Sequence, residues 1–168
     1  PDPGKGYYAK AAADAAGERY GYGHSNVLFK PTKATKHAFR PTGEEAMSYF
    51  VGADAMKNDE FKGEDAGFAI NGGKGWKDVV FTNHQIEENG PDATAMGSYV
   101  FTAADNGDKV KVEYTFGYKR SPTDGKGRID QHHSSVPYGP STARETKGES
   151  EEGRSEADAA TDTIGKTQ

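Results

Sequence analysis

"ATAMGSYVFTAADNGDKVKVEYTFGYKR", Ala93 to Arg120, decides the fold. In its second half Val110, Val112, Tyr114, Phe116 and Tyr118 alternate with Lys109, Lys111, Glu113 and Thr115. A period of two places the first set on one face of a strand and the second set on the other. Between the two halves, Asp105-Asn106-Gly107-Asp108 supplies residues that tolerate the positive φ of a tight turn. The stretch is therefore expected to be an antiparallel hairpin with one apolar face.

Outward from this hairpin the alternation continues. "WKDVVFTNHQIEENG" reads as a preceding strand ending in Asn-Gly, and "IDQHHSSVPY" as a last strand after the turn "SPTDGKGR". Upstream the period changes to helical. "YYAKAAADAAGERY", Tyr7 to Tyr20, is alanine-rich, with Gly17 as its weak point. In "RPTGEEAMSYFVG", Thr42 and Glu45 have capping-box spacing, Ala46, Tyr49 and Phe50 form an apolar stripe, and Gly52 closes the helix. A short apolar run, Val27 to Phe29, stops at Pro31, and "GFAINGGKGW" is a turn-rich lead-in to the sheet. Helices followed by a three- or four-stranded meander indicate an α+β fold, with helices packed on one face of a curved antiparallel sheet. Residues 1–19 are expected to be a helical segment, 20–140 the sheet-bearing domain and 141–168 a polar acidic tail or linker. That last part holds one aliphatic residue larger than alanine, Ile164, too little to form a core.

Composition narrows the function classes. The chain has 168 residues, 33% of them hydrophobic, and a formal net charge of -5. That length supports one domain, and the negative charge with scattered lysines and no basic stripe argues against a nucleic-acid binder. No apolar run approaches the roughly 20 residues that span a bilayer. Cysteine is absent, so disulfides, thiolate nucleophiles and cysteine-based zinc sites are excluded. A start at Pro1, with no signal-like apolar stretch, is expected of a processed product or a piece of a longer protein.

The residues with most chemistry lie in "HHSS", His132 to Ser135. Strict alternation puts Ile129, Gln131, His133 and Ser135 on one face and Asp130, His132 and Ser134 on the other. Two adjacent histidines on a regular strand cannot ligate one ion, and none of the five histidines has the spacing of a three-histidine zinc site. No glycine-x-Ser-x-glycine elbow supports a serine nucleophile. His133 and Ser135 could equally be polar residues satisfied within the sheet, and Thr42 simply a helix cap.

In combination, "VLFKPTKA", "FRPT", "SYFVG", "GFAINGGKGW", "AMGSYVFT", "VEYTFGYKR" and "HHSSVPY" give the segment from about Tyr20 to Tyr138 a specific resemblance to the iota-class carbonic anhydrase domain. That family is related to the calcium/calmodulin-dependent protein kinase II association domain and shares the cone-shaped fold of nuclear-transport-factor-like proteins. The resemblance implies reversible hydration of carbon dioxide to bicarbonate in a pocket inside the cone. It implies no metal cofactor, with manganese or zinc as the alternative. Carried over by motif, it places Thr42, His133 and Ser135 as catalytic residues, and Thr42, Tyr49 and Ser135 as substrate-binding ones. In that reading the hydroxyls orient water and bicarbonate, and His133 accepts the proton or orients the site. A pocket tyrosine expected before "GFAI" has no counterpart, since the segment reads "NDEFKGED" with Phe61. The resemblance also implies a homodimer through the open sheet face, a place in a tandem-repeat protein, and a plastid or other photosynthesis-associated setting. Two other readings use the same fold: a non-catalytic association module, and a different small-molecule lyase or isomerase with a larger pocket.

Overall fold

The computed structural model describes residues 5–139. Helix α1 (Lys5–Arg19) comes first, followed by the three-residue strand β1 (Leu28–Lys30), helix α2 (Gly43–Val51) and a short helix α3 (Ala53–Met56). Two 3-10 turns, Asp59–Phe61 and Phe68–Gly73, lead into β2 (Trp76–Asn89), β3 (Asp92–Ala103), β4 (Lys109–Arg120) and β5 (Gly127–Ser135). The expected tail, 141–168, lies outside the described residues. Among the described residues no helix is long and apolar enough to cross a membrane.

The α+β expectation holds, with helices packed on one face of a curved sheet. Strand order is β1-β5-β4-β3-β2. Both hairpins form at the Asn-Gly signals, with Gly90 at φ 62° and Gly107 at φ 77°. The apolar face of β4 is the inner one: Val112, Tyr114 and Phe116 are buried with Tyr99 of β3 and with Ala46 and Tyr49 of α2. The sheet has one more member than the meander pattern indicated. The run before Pro31 is β1, which pairs in parallel with β5 from Leu28↔Gln131 to Lys30↔His133. Three residues are too short for alternation to reveal, so only the apolar run marked it.

Helix α1 runs through Gly17 without a break. A Cβ built there meets no atom within 4 Å, so its only cost is the conformational freedom of glycine. Gly17→Ala is therefore expected to raise stability by about 0.5–1 kcal/mol, read as a higher urea midpoint at unchanged slope.

Candidate active site

The face of β5 that turns inward is set by a bulge. Tyr118 pairs with Ile129 and Gly117 with Gln131, so two steps on β5 oppose one on β4 and Asp130 is the extra residue. A bulge inverts the alternation beyond it. Ile129 is buried, as alternation predicts, but the next inward residues are His132 and Ser134, 6% and 2% exposed. His133 and Ser135 are exposed on the outer face, where they line a shallow groove with Lys111 and Glu113. The expectation that His133 and Ser135 enter the pocket is thereby corrected. Gly117 makes the bulge possible: a Cβ there would stand 2.8 Å from Gln131 Cβ and 2.9 Å from Asp130 Oδ1.

Thr42 is corrected too. It is exposed at the N-terminus of α2, where its hydroxyl donates to Glu45 Oε2 at 2.8 Å and accepts from the Glu45 N–H at 3.3 Å. The Glu45 carboxylate accepts from the Thr42 N–H at 2.9 Å, which completes the capping box. Its hydroxyl is committed to capping the start of the helix. The threonine that does reach the inner face of β5 is Thr32, in the "KPTKA" loop after β1. Its hydroxyl donates to Ser134 Oγ at 2.8 Å.

Around these two residues stands a continuous cluster of hydroxyls and one imidazole. The Tyr99 hydroxyl lies near Ser134 and 3.4 Å from His132 Nε2. His132 Nδ1 is 2.6 Å from the Tyr20 hydroxyl. Phe29 stacks on the imidazole with centroids 4.9 Å apart, and Phe116 covers it at 4.2 Å. Tyr49, from α2, packs edge-on to Phe29. Its hydroxyl is buried near Thr32 and the Lys33 backbone, yet no protein atom completes a hydrogen bond of proper geometry with it. A cleft of about 200 Å³ leads to Tyr49 past Lys33, Phe68, Lys74 and Trp76. That volume suits a molecule of a few atoms and lies below the ~300–1,000 Å³ of drug-sized ligand sites.

The cluster carries no net charge. Burial pushes Tyr99 up to about 12, with the neighbouring Ser134 hydroxyl pulling the other way. Tyr49 is raised further, mainly by burial, with Lys33 and Thr32 opposing. His132 is held down to about 3 by burial first and by neighbouring His133 second. It is thus neutral at any ordinary pH. Unfolding frees this histidine to take up a proton near pH ~6.5, whereas the folded state resists until about 3. Its contribution is full above pH ~6.5 and is lost as pH falls from there toward 3. Between pH 7 and pH 5 this residue should cost about 2 kcal/mol of stability. Urea unfolding of wild type and His132→Gln at both pH values checks it, the variant showing a correspondingly shallower pH slope.

Of the residues expected from the sequence, only Tyr49 joins this cluster. Thr32, Tyr99, His132, Ser134 and Tyr20 were missed. One signal could have found the histidine and serine: an isolated glycine inside an apolar strand, Gly117, marks a bulge in its neighbourhood. Among the described residues there is also no group of three or more His, Asp or Glu placed to hold a metal ion.

Fold and site together define a cone-like α+β domain with a buried cluster of hydroxyls and one neutral imidazole beside a small cleft that Tyr49 lines. A family model of metal-independent carbonic anhydrase matches residues 2–136. A metal-independent carbonic anhydrase of Nostoc sp. (strain PCC 7120) is 38% identical over 135 residues, which cover 77% of this chain. The chain spans 61% of the length of that relative. The crystal structure of an iota-carbonic anhydrase from a cyanobacterium, complexed with bicarbonate, is similar with a TM-score of 0.69 and 36% identity. The match covers 82% of this chain and 78% of that one. A Xanthomonas campestris domain described as a calcium/calmodulin-dependent protein kinase II association domain shares the fold, with a TM-score of 0.51 and 23% identity over 79% of this chain and 80% of that one. The chain belongs to the metal-independent carbonic anhydrase family.

Proposed function

We propose that this domain catalyses the reversible hydration of carbon dioxide to bicarbonate at the Thr32, Tyr49, Tyr99, His132 and Ser134 cluster, without a metal ion. The observation that carries the reading is the buried Tyr49 hydroxyl. It completes no well-formed hydrogen bond within the protein although Thr32 and the Lys33 backbone lie near it, and it lines a cleft sized for a few atoms. A buried hydroxyl held in poor hydrogen-bond geometry forfeits part of the roughly 1 kcal/mol that a good bond supplies, and an oxygen-rich small molecule would restore it.

The chemistry follows from the neutrality of the site. With its pKa near 3, His132 is too weak a base to hold the proton of an attacking water. A hydroxyl can instead pass protons in one concerted motion. Water oxygen bonds to the carbon of carbon dioxide, one water proton moves to Ser134 Oγ, and the Ser134 proton moves to a carbon dioxide oxygen. The product is carbonic acid, which ionises to bicarbonate on release and hands its proton to solvent. No charge separates inside the apolar pocket, where separated charges would be costly. The phenols of Tyr49 and Tyr99 stay protonated, and so remain donors to the substrate oxygens. Phe29 and Phe116 give carbon dioxide its apolar surroundings. Such a site is slower than a zinc hydroxide, because no metal lowers the pKa of the water.

Hydration measured by stopped-flow pH indicator should survive exhaustive chelation unchanged. Activity that disappears with EDTA and returns with manganese or zinc would overturn the metal-free mechanism. We assign the exposed outer sheet, where Val80 and Met96 are more than half exposed, to a second copy of the chain in a homodimer.

A further inference from the structure

Tyr20 belongs to neither the hydroxyl pair nor the cleft, yet its phenol is the closest polar neighbour of the histidine. It follows directly on α1, whose turn ends with the Tyr20 N–H donating to Ala16 C=O at 3.0 Å. The chain then runs alongside β5 at its bulge: Tyr20 bridges Ile129 in parallel, and the Gly21 N–H donates to Ile129 C=O at 2.8 Å. Its ring is wedged between Phe29 and Phe50, with centroids 5.5 and 5.3 Å away. The phenol is thus aimed by the same irregularity that turns His132 inward, and it meets Nδ1 at 2.6 Å.

A neutral imidazole has one donor and one acceptor nitrogen. Tyr20 is 7% exposed, and the hydrogen bond to His132 is the one its hydroxyl makes. If Nδ1 carried the hydrogen, the phenol would only accept, and its own proton would be buried without a partner. If the phenol donates, both groups are satisfied and the imidazole hydrogen lies on Nε2. That nitrogen faces the Tyr99 hydroxyl, which neighbours Ser134.

We infer that Tyr20 is a positioning residue that fixes His132 in the Nε2–H tautomer and so presents an N–H, rather than a lone pair, to the hydroxyl cluster. Resting on the hydration reading above, this makes His132 a neutral donor that steadies the oxygens of substrate and product. A partner that fixes a histidine's tautomer typically matters 10–100-fold in metal sites, and a similar loss is expected here. Tyr20→Phe keeps the ring and removes the donor. In it kcat should fall about 10–100-fold with little change in KM.

Long-range proton–nitrogen NMR of histidine-labelled protein reads the tautomer itself. In wild type, His132 should show a protonated Nε2 and an unprotonated Nδ1, and in Tyr20→Phe a shift toward Nδ1–H. Wild-type His132 protonated on Nδ1 overturns the assignment, whether or not the variant folds. A Tyr20→Phe spectrum with an unchanged tautomer overturns it as well. The spectra are taken on resting protein, so they test the role of Tyr20 separately from the hydration reaction. Loss of the carbonic anhydrase reading would leave the tautomer assignment standing.

Discussion

Asp65→Asn should unfold at markedly lower denaturant than the wild type, with a loss of about 3–5 kcal/mol. Arg40 is fully buried, and Asp65 takes its guanidinium in a two-point grip, Nη1 to Oδ2 and Nη2 to Oδ1, both at 2.8 Å. Phe61 lies beneath the guanidinium at 4.2 Å. Asparagine preserves the shape but removes the charge, leaving a buried cation opposite a neutral amide. The damage extends to the pocket, because this pair anchors the far end of the loop that carries Thr32. The next residue upstream anchors the middle: Glu64 accepts N–H groups from Thr35 and Lys36 at 2.5 and 2.9 Å. Equilibrium denaturation checks the prediction, with Asp59→Asn as the comparison, since the Asp59–Lys62 pair is largely exposed and its loss should be barely detectable. An Asp65→Asn midpoint close to that of Asp59→Asn would show that the buried pair is dispensable.

Ser134→Ala should lower kcat/KM for hydration by about 10²–10³-fold, while Ser135→Ala leaves it unchanged. The two serines are chemically identical and adjacent, and they differ only in which side of β5 they face. Removing the inner one takes the proton relay from the reaction and leaves Thr32 without its acceptor, so circular dichroism should accompany the assay to establish that the variant is folded. Removing the outer one trims a side chain in the shallow outer groove. Parallel losses in both, or a loss confined to Ser135→Ala, would refute the inner cluster as the site of reaction.

The same pair of serines separates the legible from the illegible in this sequence. The alternation from Val110 to Tyr118 and the Asn-Gly turns were legible because each depends on neighbours a few residues apart. The capping box of Thr42 and Glu45 was legible for the same reason. The face of β5 was not, since "DQHHSS" is polar on both sides and offers no hydrophobic contrast to set the phase. Ile129 supplied a phase, but Asp130 bulges out immediately after it and reverses the facing of every later residue in the strand. Thr32 was hidden differently: its role comes from a parallel pairing that sequence neighbours cannot encode. Even Phe61, standing where the resemblance wanted a tyrosine, has a local explanation, as the apolar floor under Arg40.

The pairing of β1 with β5 has a consequence for how the domain comes into being. Thr32 and Ser134 are 102 residues apart in the chain, and Tyr20 and His132 are 112 apart. Contacts of such span pay their loop-closure entropy before they gain anything, so they form late. On a ribosome, which releases the chain from its N-terminus, α1, β1 and α2 emerge long before their partners exist. The pocket has no partial version: until β5 is made and laid between β1 and β4, Tyr20, Thr32 and Tyr49 surround nothing. The proposed site is therefore assembled in a single late event, when the last strand arrives.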